Sequence, residues 1–147
     1  MSETQLPIAG LIKIACIRSG LDADTVTRIL TFALGLVDRH AAPEAARRLY
    51  DAVPGSEALA RSPAAGPQKS SGGLFSGLMR GAAGLSGPAI SEAMGAADAL
   101  KKDGVDRDTL SRTLKATRRA VEFKTGHDFV GDALKTIPGV GKLMGAD

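Results

Sequence analysis

Apolar side chains recur along this chain every three or four residues, the spacing of one helix face, and almost nowhere do they alternate with polar ones. The pattern predicts an all-α protein. Its clearest stripe is Val26, Ile29, Leu30, Ala33, Leu34 and Val37, within a helix over 23–40. Arg28 is the only charge between Thr25 and Val37, so this helix is expected to be central and the most buried. Before it, residues 5–18 place Ile8, Leu11, Ile12, Ala15 and Cys16 on one face, with Pro7 in the first turn. After it, 43–53 turns Ala46, Leu49, Tyr50 and Val53 inward and Arg47 and Arg48 outward, with a short helical tail over 56–61. Further helices are expected over 88–102, 107–124 and 128–136, the last burying Val130, Ala133, Leu134 and Ile137.

The helices come in two related sets. Residues 20–59 and 104–143 align without a gap at an offset of 84, and ten of the 40 pairs are identical. Chance at ordinary composition would give roughly two or three. The shared residues are mostly helix punctuation. Gly20 and Gly104 suit the left-handed residue that ends a helix. Asp22 and Asp106 suit the N-cap of the next one, which makes Leu21 with Val26, and Val105 with Leu110, hydrophobic staples. Asp24 and Asp108 then complement the helix dipole in the first turn, and Pro54-Gly55 and Pro138-Gly139 stop the third helix of each set. Capping explains the spacing of these aspartates without any catalytic role. In the second set Arg118 and Arg119 stand where Leu34 and Gly35 stood, so helix 107–124 is expected at the periphery.

Between the sets, residues 62–72 (SPAAGPQKSSG) read as a flexible linker. Residues 73–87 then repeat Gly73, Gly77 and Gly81 every four residues beside an apolar ridge that includes Leu74, Phe75, Leu78, Met79 and Leu85. Each interior glycine costs about 1 kcal/mol against alanine, so such a helix needs a partner to pack on. The expected organisation is a first helical unit over 1–61, the linker, and a Gly-rich helix plus second unit over 73–147, in one compact bundle.

Each unit thus opens with G-[LV]-D-x-D-T and carries [VI]-P-G toward its end, around a middle rich in Gly, Ala, Leu and Met. This layout resembles the small bacterial helical proteins of unknown function of the VcgC/VcgE type. The resemblance covers most of the chain. It implies a helical fold and no reaction, and it supplies no catalytic residues to carry over.

Composition adds bounds. The 147 residues contain no tryptophan and one tyrosine, so the core is expected to be built from small side chains in close helix contacts. The net charge is +3, and the excess lies in the second half: seven Lys/Arg against seven Asp/Glu in 1–66, twelve against nine in 67–147. One cysteine, Cys16, cannot form an internal disulfide, and its place on an apolar face suggests a small buried hydrophobe rather than a nucleophile. No apolar run is long enough for a membrane span. Glu3 near the start and Lys13 within the first apolar stretch argue against a signal peptide, so a cytoplasmic location is expected.

No metal-ligand spacing, P-loop or nucleophile elbow occurs, and no cofactor is expected. His127 and Asp128 are neighbours in sequence at a helix start, which favours Asp128 as an N-cap over a base with its orienting acid. The chain therefore reads as a non-enzymatic interaction or scaffold protein with a protein partner or self-association. Two surfaces are candidates. One is the apolar ridge of Leu74, Phe75, Leu78 and Met79, which could serve a membrane surface. The other is the basic face of Arg112, Lys115 and Arg119 with Arg118 adjacent, bracketed by Asp108 and Glu122. No aromatic side chain is expected to interleave with those cations, which argues against nucleic acid as the partner.

Overall fold

The computed structural model describes residues 5–65 and 88–137. It is all-helical, with α1 (Ile8–Ser19), α2 (Ala23–His40), α3 (Pro43–Ala52), α4 (Ser56–Ala60), α5 (Pro88–Lys102), α6 (Arg107–Thr125) and α7 (Phe129–Lys135). The expected ridge of Leu74, Phe75, Leu78 and Met79 lies outside the described residues.

The caps form as charge and geometry require. The Asp22 carboxylate accepts from the Thr25 backbone N–H at 3.3 Å, and Asp106 accepts from Thr109 at 2.8 Å. Those hydrogen bonds hold both carboxyls below the usual aspartate range. Gly20 closes α1 at φ 77°, a conformation that a Cβ would strain. The chain before α1 is not helical. Pro7 is extended, and Leu6 and Ile8 instead donate backbone hydrogen bonds to the Ala52 and Pro54 carbonyls, both at 2.8 Å.

Buried hydrophobic residues from every helix join one cluster. Helix α2 buries more residues than any other described helix, with Val26, Ile29, Leu36 and Val37 at 1% exposure or less. Helix α6, expected at the periphery, is not peripheral. It packs along α1 and also against α2, α5 and α7, burying Leu114, Ala120 and Val121 almost completely. Its buried Thr113 and Thr117 stay satisfied by donating to the carbonyls four residues back, each at 2.8 Å. Arg118 does not expose this helix, because it folds back onto the cap of α7, as described below.

The first residues of the expected linker are ordered. Pro63–Ala65 makes one turn of 3₁₀ helix that packs on α2, with Ala65 fully buried. Gly35 permits this approach. A Cβ there would press on the Ala65 carbonyl oxygen far inside van der Waals contact and would sit 3.2 Å from Arg39 Nη2. In an open helix interior, Gly→Ala stabilises by about 1 kcal/mol. Here Gly35→Ala is expected to destabilise by about 1–2 kcal/mol net, because overpacking outweighs the propensity gain. Urea denaturation reads the sign directly, and a midpoint at or above that of the wild type would show that the turn yields freely.

Candidate functional site

The basic face begins with two helices that are far apart in sequence. Helices α1 and α6 pack side by side, and their last turns meet where the Arg18 guanidinium lies 5.9 Å from the centre of the Phe123 ring. Lys124 Nζ lies 5.8 Å from the same ring. Phe123 and Ile17 are the large hydrophobic residues that stand exposed among the described residues, each at 73%. Each sits in the last turn of its helix. Neither belongs to its helix's buried stripe, which is Leu11, Ala15 and Ser19 in α1 and Leu110, Leu114 and Val121 in α6.

Arg112, Lys115 and Arg119 are exposed on α6 or nearly so. Arg112 and Arg119 share the strip that leads to Phe123, at the spacings that align residues along a helix. Arg112 is weakly paired with Asp108 at 3.8 Å. Arg118 does not join them. Its Nε donates to Asp128 Oδ2 at 3.0 Å, and its side chain is only 16% exposed. Asp128 in turn accepts from the Gly131 backbone at 2.8 Å and caps α7. Arg118 is therefore part of the joint between α6 and α7.

Phe123 has two cations at its ring, Arg18 and Lys124, neither of them among the cations of the expected face. The signal was present in the sequence: a phenylalanine off the apolar stripe, four residues after Arg119 and just before a lysine. Arg18 had no such signal, since only the packing of α1 on α6 brings it to Phe123.

Charge is strongly segregated by this packing. Helices α1 and α6 carry eight Lys/Arg against two carboxylates, Asp108 and Glu122, whereas the rest of the chain carries eleven against fourteen. A net charge of +3 thus conceals a strongly positive pair of helices on an otherwise acidic body.

Other groups are committed elsewhere. Glu92 on α5 takes Arg39 Nε at 2.7 Å and His40 Nε2 at 2.9 Å, and the same Arg39 donates to the Ala65 carbonyl at 2.8 Å. Burial alone would raise the Glu92 carboxyl, but the hydrogen bonds from Arg39 and His40 outweigh it and hold it below the usual glutamate range. His127 pairs with Asp132 and stacks edge-on against Phe129, with ring centres 4.8 Å apart. Tyr50 donates to Asp38 at 2.8 Å; burial and that bond push its phenol well above the usual range. Cys16 is half-buried, and burial, with Asp22 nearby, raises its thiol, which disfavours the reactive thiolate.

A cleft of about 650 Å³ lies between α2, α4 and α5, with Phe32 and Leu59 among its lining and an Arg28–Asp103 ion pair in its wall. Two of its hydroxyls already serve the fold. Thr31 donates to the Thr27 carbonyl at 2.6 Å and Ser62 to that of Leu59 at 2.7 Å. Among the described residues no cluster of three His, Cys, Asp or Glu could hold a metal ion, and no helix is long and apolar enough to cross a membrane. No family model matches the chain, and no curated protein and no solved structure is significantly similar to it.

Proposed function

We propose that this protein is a non-enzymatic helical interaction module whose working surface is the α1–α6 face and whose partner is polyanionic. The observation that carries the reading is that one packed pair of helices, α1 and α6, carries both the segregated positive charge and the two exposed hydrophobic side chains, Ile17 and Phe123. Positive charge steers an anionic partner to the face, and the apolar side chains supply contacts that water-exposed cations alone do not. The commitment of both histidines to carboxylates, and of Cys16 to a neutral thiol, supports a binding role over a catalytic one. The matching Asp22 and Asp106 caps support the view that the two helical units are related and that α6 diverged toward binding.

Retention on an immobilised polyanion such as heparin tests the surface. A variant with Arg112, Lys115 and Arg119 all changed to alanine is expected to elute at markedly lower salt than the wild type, because each lost cation removes released counterions. Arg47→Ala with Arg48→Ala, on exposed positions of α3, is expected to leave elution nearly unchanged. Equal shifts from both variants would mean that only net charge matters and would sink the reading.

A further inference from the structure

Resting on that surface, we infer that the polyanion is an anionic lipid bilayer, with Ile17 and Phe123 as the side chains that enter it. Three observations favour lipid over nucleic acid. First, Phe123 already has two cations at its ring, Arg18 at 5.9 Å and Lys124 at 5.8 Å from the centroid. A base that stacked on a face those cations occupy would compete with them, whereas a ring accompanied by cations can enter the headgroup layer tip first. Second, the other exposed hydrophobe, Ile17, is aliphatic and has no π-face for a base. Third, the two side chains project from the last turns of two adjacent helices, so they share one end of the bundle. There the flanking cations can reach lipid phosphates while the apolar tips leave water.

The carboxylates near the face include Glu122 beside Phe123, Asp106 and Asp108 close to Arg112, and Asp22 near Cys16. They are outnumbered by Lys13, Arg18, Arg112, Lys115, Arg119 and Lys124. Two exposed side chains and a few cations make a reversible attachment, the regime in which apolar insertion and electrostatic attraction are both required.

The chain has no tryptophan, so Phe123→Trp provides a single reporter at the point of insertion. The probes are phosphatidylcholine vesicles with and without phosphatidylserine. The expected result is a blue shift of the indole emission with the anionic vesicles only, quenching by brominated acyl chains, and loss of both at high salt. In cosedimentation, Phe123→Ala is expected to weaken binding to the anionic vesicles about tenfold, the scale of one large side chain kept in water. If Phe123→Trp failed to fold, Ile17→Trp serves as the same reporter from α1. Normal polyanion retention with no emission change on anionic vesicles would overturn the lipid inference and leave the surface reading standing. A change with single-stranded RNA instead would also overturn it. Loss of specific polyanion retention would remove both.

Discussion

Leu114→Ala is expected to cost about 3 kcal/mol and to lower the melting temperature of the whole protein in one step. Leu114 is 1% exposed on α6, and it shares its surroundings with Leu11 of α1, Leu30 and Val37 of α2, Leu49 of α3 and Leu134 of α7. The space left among these side chains is only about 10 Å³. Removing most of an isobutyl group forfeits its transfer free energy and leaves a cavity that close packing on all sides resists closing. The residues around it come from both ends of the sequence, so loosening at Leu114 reaches every helix it touches. Calorimetry would show a single transition moved downward. Two separated transitions, with only one displaced, would mean that the helical units unfold independently.

Glu92→Gln is expected to cost about 2 kcal/mol at neutral pH and to change the acid limb of stability. The Glu92 side chain is only 10% exposed, and its charge is matched by Arg39, with His40 Nε2 a further hydrogen-bond partner at 2.9 Å. Breaking a well-buried pair costs about 3–5 kcal/mol, but the Arg39 side chain is 29% exposed and recovers part of its hydration, so the lower figure applies. The folded-state pKa of Glu92 lies below its unfolded value. Its contribution is therefore complete above the unfolded value, about 4.3, and disappears as pH falls through the folded one. The stability gap between wild type and Glu92→Gln should then shrink as pH falls below that value. A gap that stayed constant into strong acid would show that the carboxylate charge contributes nothing.

The elements of this fold were legible because their signals are local. Asp22 and Asp106 announce helix starts by chemistry that acts within three residues, and the stripe from Val26 to Val37 needs only the helical period. The course of the chain at Leu6 and Ile8 was not, since their partners are carbonyls at Ala52 and Pro54. The role of Arg118 was hidden for the same reason. A cation on a helix surface reads as solvated until the neighbouring helix presents Asp128 to it. Half of the candidate surface was visible, in Arg112, Lys115 and Arg119. The other half depends on which helix lies beside α6, and no residue in α1 names α6 as its neighbour.

That neighbour relation matters most during synthesis. Helix α1 leaves the ribosome long before α6, which it packs along and which begins at Arg107. At roughly 5–20 residues per second, the buried face of α1 waits on the order of 5–20 s for its cover. During that interval Leu11 and Ala15, and the α2 surface that meets α6, have only part of their final surroundings. The nascent chain thus exposes part of its final core until translation has passed α6.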